Sequence, residues 1–336
     1  MLLFITNRYF NKQTNSLIRS ISYKYRQFLF FMVKLAIVIG AFYFIYHKTV
    51  HNNQLALADF ITQLEKTLFT DYKVVFILLI FTIFNWFFEI LKWQNLVQTI
   101  QKISFLQALK QSLGSLTASL FTPNRVGEYG AKAIYFYKTK RKKVMLLNLI
   151  GHFSQMIMTL LFGIVGLIFF KLNYDIHFPI FRARRFVYYL ALFIVVAFGG
   201  RFFISKKIRG FYWSKIISFI HQIPKLIIFK TLLFSLIRYI IFSHQFYYLL
   251  YLFGVEVEYS VVIKLIFAIY LIASIIPSLP MFDWLIKGSI AVFVFSFIGV
   301  NELIVVTVTT LMWLFNFGLP AIIGSYFVLN FRFVTK

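Results

Sequence analysis

Residues 120–132 have the sequence LFTPNRVGEYGAK, a polar stretch broken by proline and glycine in an otherwise oily chain. Pro123 cannot continue a helix, and Asn124 and Gly127 tolerate backbone angles that most residues avoid. Glu128 precedes Lys132 by four residues, which is the spacing of an ion pair on one face of a new helix. Because a break beside lipid would leave backbone groups unpaired, the stretch is either an aqueous loop or the lining of an internal cavity.

The composition around this stretch is that of a helical membrane protein. Of 336 residues, 60% are apolar and 13% are charged, and the mean hydropathy is +0.80. Aromatic residues make up 21%, so packing depends largely on rings. Cysteine is absent, which excludes disulfides and cysteine metal sites.

The net charge of +25 points to anionic lipid as the partner, and no nucleic-acid partner is expected. The Lys and Arg residues fall mainly in short loops between apolar segments, whereas a nucleic-acid site needs one basic face. Residues 1–27 carry five basic residues and no acid, and we interpret them as a basic cytoplasmic arm. This arm either sets the orientation of the chain or forms an amphipathic helix that binds lipid.

Six segments are long and apolar enough to cross the membrane, and no cleavable secretory signal precedes them. They are residues 28–46, 74–91, 144–170, 186–204, 226–253 and 303–329. Residues 105–121 are interrupted by polar residues, and the loop that follows carries seven basic residues. A full crossing there would place this loop outside, against the positive-inside rule. A re-entrant hairpin broken at residues 123–127 removes the conflict.

A second break, at residues 277–288, lies in the same relative position in the second half of the chain. An offset of about 155 residues carries Glu128 onto Asp283, and each acid has a lysine four residues later, Lys132 and Lys287. We therefore predict an all-α polytopic membrane protein with about six full spans and two proline-broken re-entrant hairpins. It forms one transmembrane domain at 28–330, with pseudo-repeats at 28–170 and 186–329 that suggest an inverted repeat.

The charged residues near the breaks are the candidate substrate-binding site. Glu128 and Asp283 each lie near the start of a half-helix, where they either cap the helix or serve the site by holding the cations or by meeting a cationic headgroup. Arg238 is expensive at membrane depth, so it either snorkels to the interface or faces a cavity, a carboxylate or a lipid phosphate. The cationic lining consists of Arg125, Lys132, Arg238 and Lys287.

Four further residues are secondary candidates, namely Glu89, Lys92, His244 and Gln245. Glu89 and Lys92 lie one turn apart, and they form either an interfacial ion pair or a substrate contact. Neither a nucleotide-binding loop nor a catalytic or metal-ligand motif occurs in the sequence. We therefore expect no metal, no cofactor and no coupling to ATP.

The stretch Pro123-Asn124-Arg125-Val126-Gly127-Glu128 resembles the Pro-x-Arg-x-Gly-Glu signature of the lysylphosphatidylglycerol synthase transmembrane-region family. This family includes the flippase half of the multiple peptide resistance factor. Glu89-x-x-Lys92-Trp93 resembles its second span, and the late hairpin matches in position, so the resemblance covers residues 25–330. The family's Gly-rich run ending in Glu is replaced here by residues 277–284, which bears on the substrate rather than on the fold.

The resemblance implies a protein of the bacterial inner membrane, with both termini cytoplasmic, that translocates a phospholipid (anionic or aminoacylated) or an isoprenoid-linked lipid. The aminoacyl-transfer domain of the fused family members does not occur in this sequence, so we expect a translocator rather than an enzyme. Two alternatives stay open. One is a membrane-embedded lipid or glycan transferase, and the other is a non-transporting partner of a separately encoded synthase or transferase.

Overall fold

A computed structural model describes residues 65, 72–120, 122, 125–174, 213–276 and 278–331, without the side chains of 213–216. Every regular element in these ranges is helical, as the sequence predicts. The ten α-helices are α1 Tyr72–Val97, α2 Phe105–Ser119, α3 Val126–Ala133, α4 Arg141–Asn173, α5 Trp213–Gln222, α6 Lys225–Leu252, α7 Tyr259–Ile275, α8 Asp283–Ser296, α9 Glu302–Trp313 and α10 Leu319–Leu329.

Four helical segments in the described part are long and apolar enough to cross a membrane. They are α1, α4, α6 and the continuous run from α9 to α10, Glu302–Leu329. All four were predicted as spans, and the prediction of an all-α polytopic fold is confirmed. The predicted arm at 1–27 and the predicted spans at 28–46 and 186–204 lie outside the described residues.

The first break separates α2 from α3. Ser104 begins α2 with a capping box, in which its hydroxyl accepts from the backbone N–H of Gln107 while the Gln107 side chain accepts from the Ser104 N–H. The helix has 15 residues and α3 has 8, so they are about 22 Å and 12 Å long. Because a crossing needs about 30 Å, neither helix spans the bilayer alone.

The second break separates α7 from α8. A short 3-10 turn, Pro280–Phe282, follows the end of α7, and α8 starts directly after it at Asp283. The sequence predicts a break that extends to residue 288, which is wrong at its end, because α8 begins about five residues earlier. The reason is that Pro280 fixes the turn that leads into the helix, and Asp283 favours the first helical turn because a carboxylate interacts well with a helix N-terminus.

The two halves of the chain pack on each other reciprocally. The first long helices of the halves, α1 and α6, lie together. The first hairpin helix of each half packs on the last long helix of the other half, so α2 contacts α10 and α7 contacts α4. Such reciprocity is what two related halves would produce, and an inverted repeat stays a prediction.

A glycine brings the helices close at each of these reciprocal contacts. A methyl group at Gly166 of α4 would overlap the carbonyl oxygen of Lys264 on α7. A methyl group at Gly324 of α10 would overlap the carbonyl oxygen of Leu113 on α2. Small residues at helix contacts allow close backbone approach in membrane proteins. The two glycines therefore fix how each hairpin lies against the opposite half.

One irregularity lies inside the last span. Residues Leu314–Gly318 form a π-helical turn between α9 and α10, which the sequence analysis did not predict. Pro320 lies at the start of α10 and has no N–H to continue the α-helical pattern. Single π-turns inside helices occur frequently at functional sites. This turn faces the space between the two hairpins.

Candidate functional site

A cavity of about 530 Å³ lies between the two broken hairpins. Its walls come from α1, α4, α6 and α7, from Arg125 directly before α3, from the start of α8, and from α9 with the π-helical turn. Six charged side chains line it, namely Glu89, Lys92, Arg125, Arg238, Asp283 and Lys287. Rings and small polar groups complete the lining, among them Trp86, His152, Gln155, Tyr270, Trp284, Trp313, Asn316 and Phe317.

The first charged cluster is centred on Glu128, which is 2% exposed. One carboxylate oxygen lies 2.8 Å from Nη2 of Arg125. The other oxygen lies 2.9 Å from Nζ of Lys132 and 3.4 Å from Nε2 of His152. Glu128 and Lys132 do not line the cavity, whereas Arg125 and His152 do. The carboxylate therefore holds Arg125 at the cavity wall from behind.

Lys132 is buried in the protein beside the Glu128 carboxylate. Its ammonium donates to Oδ1 of Asn148 at 2.8 Å and lies 4.4 Å from the centre of the Trp93 ring. The indole N–H of Trp93 donates in turn to Gln111 of α2. A buried cation needs such partners because burial removes its hydration. The contacts join the first hairpin to α1 and α4.

Arg125 and Gly127 have distinct roles in the backbone of the first break. Arg125 has a φ of 57°, in the left-handed region that residues with a side chain rarely adopt. The N–H of Gly127 donates to the Thr122 hydroxyl at 2.9 Å, and a methyl group at Gly127 would collide with that side chain. The glycine is thus required for close approach, and the strained Arg125 aims its guanidinium into the cavity.

The second charged cluster joins α1 to α6. Glu89 pairs with Lys92 at 2.7 Å and with Nη1 of Arg238. Nε of Arg238 also donates to the backbone and side-chain oxygens of Asn85, at 3.1 and 3.0 Å, and Nη1 lies 3.3 Å from Oε1 of Gln155. Arg238 thus contacts a carboxylate and also lines the cavity, two of the environments expected for a charge at membrane depth.

The sequence predicts that Glu89 and Lys92 lie close to the end of a span at residue 91. The helix α1 instead continues to Val97, because no proline or glycine interrupts residues 92–97. Lys92 is consequently buried inside the protein rather than set at a helix end. The pair is part of the cavity wall.

The third charged cluster is the pair at the start of α8. Lys287 lies 2.6 Å from Asp283, whose other carboxylate oxygen accepts from the Ser278 hydroxyl at 3.1 Å. The pair has the same spacing as Glu128 and Lys132, but it is far more open, since the side chains are 19% and 33% exposed. It is the most accessible ion pair of the cavity.

Phe317 of the π-helical turn lies between the two hairpins. Its ring centre is 5.5 Å from the Arg125 guanidinium carbon and 5.8 Å from Nζ of Lys287. Both distances fall within the range of cation–π attraction. One ring therefore contacts a cation from each hairpin.

A chain of buried amides supports this turn. Asn316 accepts from the Asn85 amide at 2.7 Å and donates to Oε1 of Gln245 at 2.8 Å. Gln245 donates in turn to Leu78 and Thr82 of α1. Sequence reasoning missed Asn316 and Asn85, for which the only signal was an amide in an apolar span. The network connects α1, α6 and the last span at the cavity wall.

Nine of the ten predicted site residues fall into two groups, and His244 belongs to neither. Glu89, Lys92, Arg125, Arg238, Asp283 and Lys287 line the cavity together. Glu128, Lys132 and Gln245 are buried in its supporting layer. His244 is partly exposed, bonds to the Tyr259 hydroxyl at 2.8 Å, and is not part of the cavity wall. Within the described ranges, no group of three or more His, Asp or Glu side chains could hold a metal ion.

The fold and site together define a class of protein, a polytopic α-helical membrane protein with a cation-rich internal cavity between two broken hairpins. The chain belongs to the lysylphosphatidylglycerol synthase TM region family, whose family model matches residues 31–324. Searches of curated proteins and of solved structures find no match to the chain.

Proposed function

We propose that the protein translocates a polar-headed lipid across the membrane, with the headgroup in the cavity and the acyl or isoprenoid tails in the bilayer. The observation that carries the proposal is the cavity itself, about 530 Å³ in volume and lined by six charged side chains inside an apolar helix bundle. Its size falls within the range of small-ligand sites, about 300–1,000 Å³. Membership of a family connected with lipid modification supports the same substrate class.

The charge of the lining supports a phosphate-bearing headgroup. Four cationic side chains and two carboxylates line the cavity. Ionised groups within membrane helices are expensive and are associated with substrate or ion pathways. Arginine pairs well with phosphate because its planar guanidinium presents several donors. Arg125 and Arg238 are therefore the groups we assign to headgroup binding, with Lys92 and Lys287 beside them.

The two hairpins are evidence for a transporter rather than for an enzyme that acts at one membrane face. Broken helices that meet around a cavity are the usual site architecture of transporters built from repeats. Here Arg125, directly before α3, and Lys287 of α8 both line the cavity, and both lie against the ring of Phe317. Movement of one hairpin against the other would open the headgroup site to either leaflet.

Scrambling of fluorescent phospholipid in proteoliposomes tests this proposal. We expect the native protein to accelerate lipid exchange over empty liposomes. Lys287→Ala and Arg125→Ala should each slow it by about tenfold, which is the effect of losing one hydrogen bond from a charged donor. Lys138→Ala is the matched control, because it removes an exposed cation from a loop outside the cavity.

Two outcomes of that assay count against the proposal in different ways. Exchange no faster than in empty liposomes would exclude translocation. Fast exchange that neither cavity variant slows would exclude the site but not the activity. Size-exclusion profiles of each variant separate a folding defect from a transport defect.

We further propose that the protein lies in the bacterial inner membrane with the basic loop at 138–143 in the cytoplasm. Because the sequence contains no cysteine, single cysteines report topology without background. An impermeant maleimide added to intact cells should label Glu256→Cys, between α6 and α7, and leave Lys138→Cys unlabelled until the membrane is permeabilised. Both positions are exposed. The reverse pattern would contradict the orientation.

A further inference from the structure

The charged clusters at the cavity contain more cations than carboxylates. Glu128 holds two cations, Arg125 and Lys132, and Glu89 holds another two, Lys92 and Arg238. Each of these clusters therefore has one positive charge without a carboxylate among the described residues. Asp283 and Lys287 form a neutral pair. The two surplus charges lie in separate clusters that share one cavity.

We propose that the preferred headgroup carries two negative charges, as a phosphate monoester does. This inference rests on the proposed function and specifies its substrate. A ligand with two negative charges neutralises both clusters at once, whereas a phosphodiester with one charge leaves a surplus cation at low dielectric. A headgroup with additional ammonium groups increases the surplus.

The geometry of the arginines supports a bound phosphate oxygen at each cluster. Arg125 uses Nη2 for Glu128, and its side chain is 29% exposed at the cavity wall. A guanidinium has five N–H donors, so it can bind a phosphate oxygen while it keeps its contact with the carboxylate. Arg238 lies at the cavity wall with its side chain 16% exposed. A ligand oxygen at each guanidinium would complete both clusters.

Binding of defined lipids measures this preference without requiring transport. Purified protein is offered pairs of lipids at pH 7, where a phosphate monoester carries about 1.5 to 2 negative charges, and bound lipid is counted by native mass spectrometry. The probes are phosphatidate and a polyprenyl monophosphate, against phosphatidylglycerol and lysylphosphatidylglycerol. We expect the doubly charged lipids to bind about tenfold more tightly than phosphatidylglycerol, since one extra charged contact contributes about that factor. Lysylphosphatidylglycerol should bind most weakly.

The neutral pair at α8 allows the surplus charge to be varied in both directions. Lys287→Gln lowers it by one and Asp283→Asn raises it by one, while the double variant restores the native value. The ratio of phosphatidate to phosphatidylglycerol binding should fall by about threefold in the first variant and rise by about threefold in the second, because nearby charges interact through a screened cavity. The double variant should return to the native ratio.

Three results would overturn the inference. One is a native preference for phosphatidylglycerol or lysylphosphatidylglycerol, and another is a binding ratio that stays constant across the charge series. The third is displacement of phosphatidate by an equal concentration of inorganic phosphate, which would assign the site to a free anion rather than a lipid. Stronger binding of the polyprenyl monophosphate than of phosphatidate would identify the isoprenoid-linked lipid as the source. Fast scrambling with no charge preference would leave the proposed function intact and exclude only this inference.

Discussion

Glu128→Gln is expected to lower the free energy of unfolding by about 3–5 kcal/mol, the usual result of removing one partner from a buried ion pair. Glutamine keeps the shape of glutamate but not its charge. Lys132, which is 2% exposed, would then be left in a low-dielectric site with only Asn148 and the Trp93 ring as partners. Arg125 would lose its only carboxylate among the described residues at the same time.

The second hairpin supplies the matched control. Asp283→Asn makes the same chemical change in a pair of identical spacing, but these side chains reach solvent in the cavity. We expect a loss of less than about 1 kcal/mol, as for exposed ion pairs. Thermal and denaturant unfolding of both variants in one detergent provides the measurement. Equal losses would show that burial does not distinguish the two pairs.

This contrast shows what spacing alone could predict. Both acid–lysine pairs follow from a four-residue separation on a helix, and both were predicted. The difference in burial depends on what packs over them, and Asn148 and Trp93 lie on other helices. A helix that is apolar on all sides gives no indication of its rotation, so these neighbours could not be predicted.

The same reasoning explains the second cluster. Glu89 and Arg238 are 149 residues apart, and each was selected separately because charge is expensive at membrane depth. Their pairing depends on the packing of α1 against α6, which the sequence pattern does not predict. The π-helical turn at Leu314–Gly318 was not predicted, although Asn316, Gly318 and Pro320 interrupt the apolar span at this point. The hairpins themselves were predictable, since proline and glycine break helices through local sterics.

Glu89→Leu is expected to be much more damaging than Arg238→Leu, although each removes one member of the same ion pair. Without Glu89, two cations, Lys92 and Arg238, share a buried site with no carboxylate of the described residues beside them. Without Arg238, Glu89 still holds Lys92 and the cluster is neutral. We therefore expect losses of about 3–5 kcal/mol for the first variant and about 1–3 kcal/mol for the second, mainly from the unpaired oxygens of Asn85 and Gln155.

The double variant makes the charge argument testable. Glu89→Leu with Arg238→Leu leaves one buried cation instead of two, so the combined loss should be smaller than the sum of the single losses by at least about 1 kcal/mol, as for residues in direct contact. Unfolding in the same detergent gives all three values. Additive losses, or equal losses for the two single variants, would mean that Glu89 does not hold the two helices together through its charge. In that case the Glu89 cluster would no longer count as a source of surplus positive charge at the cavity.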